Sequence, residues 1–337
     1  MSFDFPVCCH LFTHAFMWRK KGKNFFKFNG EAQGTYYSVS CYMEDSINLK
    51  PQLDSLLKRF DSSVSTYKPN SIISRLNNND TTARADEIFR KVFLRAMEVS
   101  SATNGAFDIT VGPLVNAWGF GFGSRLKIDR HIVDSLLPLV GYSRVKLSGD
   151  KMLKADSRIR IDFNAIAQGY AVDVLSDFLK SKGITDYLVD IGGEVFAHGT
   201  KKDHSRWTVG IEKPSAQAGD EPEVQALVDL QDHAISTSGN YRKYFEEDGI
   251  RYSHTIDPAT GYPVRHALLS VSVLASDCMT ADAYATAFMV MGLEKACSFL
   301  DKQEELEAYF IYSDPKGIMK IYATPGFDSI LRKDSPK

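Results

Sequence analysis

Residues 161–197 read IDFNAIAQGYAVDVLSDFLKSKGITDYLVDIGGEVFA, and the class of the fold turns on this stretch. Its middle places apolar side chains at Ala171, Val172, Leu175, Phe178 and Leu179, the spacing of one helical face. The pattern predicts a helix over 162–182, with Gly183 where glycine commonly ends one. The run 187–197 then reads as a buried strand broken at Gly192 and Gly193. Outward from it the same two signals recur without a fixed rhythm. Upstream, 25–42 reads as a strand pair rich in aromatic and β-branched residues. A helical face lies over 47–60, a loop over 62–79, and a second helix over 86–103 with Asp86 as its N-cap. Downstream, 207–212 and 224–230 alternate as strands around a polar Pro/Gly loop at 213–221. A strand at 269–275, a helix at 280–301 capped by Thr280, and closing strands at 308–312 and 319–322 follow. Strands and helices mix with no regular βαβ beat, so the class is α+β. There is no internal repeat, and no G-x-G-x-x-G follows a strand, so a Rossmann nucleotide site has no support.

The bulk composition narrows the function. Of 337 residues, 44% are apolar and 24% charged, the balance of a globular chain with a sizeable core. The formal net charge is −2 with both signs interspersed, so the basic stripe of a nucleic-acid binder is missing. Cysteines at 8, 9, 41, 278 and 297 show no C-x-x-C and no metal spacing. Cys41, in a strand-like run, and Cys297, on a helix, read as small buried apolar residues. Residues 3–18 are fairly apolar but interrupted by Asp4, His10 and His14, and too short to span a membrane. The basic cluster Arg19, Lys20 and Lys21 follows this stretch, the reverse of a signal peptide, and no lipobox precedes Cys8 or Cys9. Residues 1–24 are expected to be an appendage and 25–335 one domain.

Two segments carry the chemistry. Residues 254–263, HTIDPATGYP, put an imidazole and a carboxylate at the mouth of a Pro/Gly turn. Residues 280–286, TADAYAT, set Asp282 and Thr286 one helical turn apart on a shared face. A carboxylate and a hydroxyl stacked in this way suit a hard cation such as Mg²⁺, which keeps waters and takes substrate phosphates. The alternative is an exposed Asp favoured by the helix dipole, with Thr286 facing the preceding turn. An imidazole ordinarily titrates at about 6.5, so His254 can accept a proton from a hydroxyl at neutral pH. A lone His in a turn is also commonly a solvated or packed residue. Asp257 reads at least equally as a turn former, since Asx side chains bond the backbone ahead.

These segments resemble the ApbE family, flavin transferases that move FMN from FAD onto a protein threonine. Further blocks of similar kind occur in family order: 105–114 (GAFDITVGPL) ending in WGFG at 118–121, then 161–173 (IDFNAIAQGYAVD), 191–194 (IGGE) and 237–242 (TSGNYR). Together they cover roughly residues 30 to 330. The resemblance implies an α+β, T-fold-like architecture of mixed, largely antiparallel sheets flanked by helices. It implies Mg²⁺ on Asp282, Thr286 and the backbone carbonyl of Ala165, which has no side-chain ligand of its own. It implies His254 as the base that activates the acceptor threonine. FAD contacts are implied at Gln33, Tyr67, Ala106, Phe107, Asp108, Asp162, Gln168 and, through backbone, Ile256. Read locally, Asp108 also suits a helix cap, and Tyr67 is one tyrosine among 15. Two positions depart from the common pattern: Gln33 stands where many relatives carry Met, and Gln168 where many carry Lys or Glu.

The expected activity is Mg²⁺-dependent transfer of FMN from FAD to a threonine of an acceptor flavoprotein, with release of AMP. An FAD pyrophosphatase using water in place of the acceptor, and a non-catalytic flavin carrier, are the alternatives. The family implies an acceptor such as a membrane redox-complex subunit or a flavin-bearing reductase domain. It also implies a location in the bacterial cell envelope, on the periplasmic side of the inner membrane.

Overall fold

The computed structural model describes residues 22–121, 128–214, 223–240, 244–247 and 250–333. Cys8, Cys9, the basic cluster at 19–21, most of the expected 213–221 loop, Tyr241 and Arg242 lie outside the described residues.

The chain opens on an antiparallel hairpin of β1 (Asn24–Ala32) and β2 (Thr35–Met43). Its two-residue turn needs positive φ at both central positions, and Gln33 (54°) and Gly34 (78°) supply it. α1 (Lys50–Val64) buries Leu53, Leu57, Phe60 and Val64, one stripe down one face. A short α2 (Ile72–Asn77) leads to α3 (Glu87–Ala102), whose first turn is capped by Asp86 accepting from the Phe89 amide. α4 (Gly112–Ala117), α5 (Arg130–Leu136) and a small hairpin, β3 (Val145–Ser148) with β4 (Lys151–Lys154), come next. α6 (Ala167–Ser181), β5 (Tyr187–Ile191) and β6 (Glu194–His198) follow. β7 (Trp207–Glu212) pairs with β8 (Val224–Leu230), and β9 (His233–Gly239) precedes the hairpin of β10 (Tyr244–Glu247) and β11 (Ile250–Ser253). β12 (Leu268–Ala275), α7 (Cys278–Met291), α8 (Leu293–Leu300), β13 (Glu307–Ser313), β14 (Met319–Ala323) and α9 (Pro325–Asp328) complete the chain.

Eight strands form the main sheet in the order β1-β2-β5-β6-β9-β12-β13-β14, and neighbours run antiparallel throughout. Successive side chains of a strand point to opposite faces, and β13 shows the consequence. Ala308 and Phe310 join the large core under α1, α3, α6 and α7, while Tyr309 and Ile311 join a second core against β7, β8 and α9. Central strands covered on both faces read as unbroken apolar runs, which is why 187–191 looked buried. A third, smaller cluster of Leu114, Trp118, Val133 and Ile256 ties α4 and α5 to the turn at 254–263.

The structure corrects four elements. The expected loop over 62–79 holds the last turn of α1 and the helix α2, whose first turn Ser71 caps by accepting from the Ser74 amide. α6 begins at Ala167 and not at Asp162. Asp162 instead folds a local turn, its carboxylate accepting from the Asn164 amide (2.8 Å) and the Asn164 side chain (3.2 Å). Residues 187–197 are two strands, reversed at Gly192 (φ 61°) and Gly193 (φ 107°). Residues 280–301 are two helices, separated at Gly292 (φ 76°), and the N-cap is Asp277, which accepts from the Thr280 amide at 2.8 Å. Cys41 and Cys278 are buried and Cys297 half-buried, all three free. No helix among the described residues is long and apolar enough to cross a membrane.

Candidate functional site

Sheet register collects the candidate residues at one end. The β1–β2 turn with Gln33, the β5–β6 turn at Gly192 and Gly193, the last residues of β9 and the first of β12 all lie there, because Tyr37 pairs with Ile191, Val195 with Ile235, and Ser270 with Gly239. The first turn of α6 and the middle of α7 pack beside this end.

α7 is apolar almost all round and buried accordingly, including Asp282. The surface alternative for Asp282 is therefore overturned. Its Oδ2 accepts from the Gly169 amide at 3.0 Å. The two helices approach so closely that a Cβ at Gly169 would sit 2.3 Å from the Cys278 carbonyl oxygen and 2.8 Å from the Asp282 Cβ. The exchange is reciprocal, since Asp173 of α6 accepts from the Cys278 and Met279 amides at 2.8 Å each. Each helix thus satisfies N-terminal amides of the other.

Burial pushes the Asp282 carboxyl well above the carboxylate range, against the single Gly169 amide that favours the ion. Burial does the same to Glu194 at the start of β6, and the Asp282 charge adds to it. Gln168 bridges: its Nε2 donates to Glu194 Oε2 (2.5 Å) and to the Ile191 carbonyl (2.8 Å). Thr286, one turn after Asp282, lies 3.3 Å from Ser238 of β9, hydroxyl to hydroxyl. The Gly169 amide is taken by Asp282, so it is withdrawn from the Ala165 carbonyl, to which no described backbone amide donates. No cluster of three His, Cys, Asp or Glu suited to a metal occurs among the described residues. One dry, unneutralised carboxylate with a neighbouring hydroxyl and an uncommitted carbonyl is instead the donor set of a hard cation, and these residues fit one.

His254 follows β11, half-buried, with its ring edge-on to Phe120 at 6.2 Å between centroids. The turn beyond it is pinned from several sides. The Asp257 amide donates to the Tyr262 carbonyl (2.9 Å), and the Val264 amide to the Thr255 carbonyl (2.9 Å). Asp257 accepts from the Ala259 amide at 2.9 Å, so its carboxylate serves the turn. Trp118 donates to the Gly261 carbonyl (2.9 Å), and its ring stacks on Tyr252. Ile256 is buried in the same cluster. Gly261 has φ +76°, and a Cβ there would lie 2.6 Å from Val133 Cγ1. Gly261→Ala is therefore expected to destabilise by about 2–4 kcal/mol from left-handed backbone and overpacking together. Thermal melting measures it, and a midpoint equal to wild type refutes it.

The 105–114 block is locked from within. Asp108 is buried, its Oδ1 accepting from the Thr110 amide (2.7 Å) and hydroxyl (2.6 Å), and its Oδ2 from the Tyr142 amide (2.7 Å). It is a clamp between two loops and caps no helix, since α4 starts later at Gly112. Ala106 is half-buried and Phe107 buried. The Asp162 amide donates to the Ile109 carbonyl (2.7 Å), which joins this block to the segment carrying Ala165 and Gln168. Burial raises the Asp162 carboxyl as well. Tyr67 is two-thirds exposed on the loop after α1. Two surface concavities of about 460 and 350 Å³ lie along α1, around Lys50, Asp54 and Lys58, where Asp54 is already paired with Lys50 and Tyr37.

The ApbE family model matches residues 33–310, a span that holds every candidate residue. The chain belongs to the ApbE family. It is similar to the FAD:protein FMN transferase of Vibrio cholerae, 37% identical over 315 residues that cover 90% of this chain and 92% of that one. It is also similar to the protein of the same name from Haemophilus influenzae, 36% identical over 86% of this chain and 87% of that one. Among solved structures, the flavin transferase ApbE of V. cholerae superposes with a TM-score of 0.82 at 33% identity, covering 92% of this chain and all of that one. The ApbE protein of Thermotoga maritima gives 0.80 at 28% identity, over 92% and 100%.

The α+β, largely antiparallel expectation for an ApbE chain holds in the sheet described above. Sequence reading overlooked Glu194 and Ser238 as individual residues of this end. A glutamate opening the otherwise apolar strand EVFAH was the available signal for the first. Ser238 lay inside a quoted block, but only the packing of α7 on β9 gives it a partner.

Proposed function

We propose that this chain is an FAD:protein FMN transferase that uses Mg²⁺ and a threonine acceptor. The observation that carries this is the buried Asp282 carboxylate on α7, one helical turn from Thr286, at the sheet end that also bears Gln33 and Gln168, with the Ala165 carbonyl ahead of α6 accepting from no described backbone amide. Asp282, Thr286 and Ala165 would hold the cation, which when bound screens the pyrophosphate and stabilises charge on the transferring phosphorus. His254 accepts the proton of the acceptor hydroxyl. That oxygen bonds to the FMN-side phosphorus, the anhydride bond to the bridging oxygen breaks, and AMP leaves. The pinned turn holds the base in place, and positioning with charge stabilisation supplies most of such a rate.

The test is incubation with FAD and Mg²⁺, with and without threonine-bearing flavoprotein candidates, reading AMP and flavin that survives denaturation of the acceptor. AMP release accelerated by an acceptor that becomes covalently flavinylated supports the reading. Fast AMP release that no acceptor alters makes the chain a pyrophosphatase, and FAD binding with no AMP makes it a carrier.

A proton held on Asp282 must leave before a cation binds, so the two compete. Half-saturating Mg²⁺ is therefore expected to fall as pH rises from about 6 to about 8, because the raised folded-state pKa keeps the proton on at the acid end. Mg²⁺ titrations of transfer rate at several pH values read this directly. A requirement that is flat or rises with pH removes Asp282 as the ligand.

A further inference from the structure

Gln168 offers a possible partner both a donor and an acceptor, and the surrounding structure decides which. Both N–H groups of its amide are spoken for, one by Glu194 Oε2 at 2.5 Å and one by the Ile191 carbonyl at 2.8 Å. A backbone carbonyl can only accept, so Nε2 must face Ile191 and the amide cannot turn over. The bare backbone of Gly192 makes room for this arrangement. A Cβ there would lie 2.4 Å from Gln168 Nε2 and 2.6 Å from Thr35 Cγ2. Among the described residues no group donates to Gln168 Oε1, and the side chain is half-buried and not sealed. Two residues before Thr35, Gln33 places its own Oε1 in a buried position with no hydrogen-bond partner. Two glutamine carbonyl oxygens thus lie at one sheet end, Gln33 on the β1–β2 turn and Gln168 on α6 with its amide held at the β5–β6 turn, and neither has a donor among the described residues.

We propose that Glu194 is a positioning residue that fixes Gln168 as a hydrogen-bond acceptor, so that this wall, with Gln33, recognises a donor on the flavin nucleotide, a hydroxyl or N–H, and not its phosphates. The inference rests on the reading of this sheet end as the FAD site. Phosphate oxygens are acceptors and would meet two carbonyl oxygens head-on, so the pyrophosphate belongs toward Asp282 and the donor-bearing part of the nucleotide toward the glutamines. It also says what a neutral amide at 168, where many relatives carry Lys or Glu, contributes to the implied FAD contact: an acceptor in place of a charge. Glu194 touches no substrate, and its effect passes through Gln168.

The experiment is FAD titration by flavin fluorescence at fixed, saturating Mg²⁺, with steady-state transfer measured on the same proteins. Gln168→Met removes the acceptor, and Glu194→Met removes its anchor. Each is expected to weaken FAD binding about threefold to tenfold, the scale of one hydrogen bond, with the loss falling on KM for FAD and not on kcat. Glu194→Gln keeps a carbonyl oxygen for Gln168 Nε2 and is expected to recover most of the affinity. The double variant is expected to bind no more weakly than Gln168→Met alone, because the two side chains act as one unit. Losses that add, or Glu194→Gln as weak as Glu194→Met, overturn the proposal. Should Glu194→Met fail to fold by thermal melting, Gln168→Met still decides, and an unchanged KM for FAD sinks it. Titration with FMN and with ADP assigns the donor, since a loss confined to FMN supports a donor on the flavin half and one confined to ADP a donor on the adenosine half. A loss with neither, beside unchanged FAD affinity, refutes the wall. Wild-type protein that binds no FAD defeats the functional reading itself, whereas wild-type binding that Gln168→Met does not alter defeats only this inference.

Discussion

Asp282→Ala is expected to lower flavin transfer on the order of 10³-fold, the rate equivalent of several kcal/mol of metal-borne charge stabilisation. Thr286→Ala is expected to cost less, because a hydroxyl brings a neutral ligand and a carboxylate brings charge as well. The structure adds a complication. Asp282 also accepts from the Gly169 amide where α6 and α7 nearly touch. Alanine therefore leaves a buried amide without a partner, at a cost of about 1–3 kcal/mol in stability. Asp282→Asn separates the two effects, since its amide oxygen still accepts from Gly169 while the charge is gone. Transfer as impaired in Asn as in Ala, with melting restored only in Asn, is the expected pattern. Wild-type transfer by either variant at ordinary Mg²⁺ would remove Asp282 from the cation site.

Legibility followed the range of the interactions. Elements set by local periodicity or local caps, such as the β1–β2 hairpin, Asp86 at the start of α3, and the β7 and β8 strands, stood in the sequence where they stand in the fold. Errors fell where one glycine or one carboxylate outweighed a pattern. Gly292, in the left-handed region, cuts a run whose apolar spacing continues into α8, and Asp162 spends its side chain on Asn164 before α6 begins. Asp282 was legible as a residue type at a spacing, but not in its surroundings. Whether a helical Asp faces water or a core depends on what packs against α7, and α6 and β9 come from 100 or so and 40 or so residues upstream. The same distance hid Glu194, whose partners Gln168 and Asp282 lie on two other elements. Asp108 shows the opposite case. It stood out as a cofactor candidate, while its carboxylate is already occupied by Thr110 and Tyr142, which only the folded loops reveal.

His254→Ala is expected to slow transfer by roughly 10²–10⁴-fold, the usual cost of removing a general base, while FAD affinity stays close to wild type. The geometry gives the reason for that split. His254 is carried by the segment between β11 and the pinned turn, and its ring rests edge-on against Phe120. The turn itself is held by backbone pairs among residues 255–264 and by Trp118, none of which uses the imidazole. Alanine at 254 removes the proton acceptor and leaves the backbone pairs of the turn in place. Transfer to an acceptor protein should suffer at saturating FAD, and raising FAD should not rescue it. Fluorescence titration and a transfer assay on the same preparation decide the matter. A variant that binds FAD poorly but turns over at the wild-type rate when saturated would make His254 a binding residue, and the proton would need another acceptor among the groups at this end of the sheet.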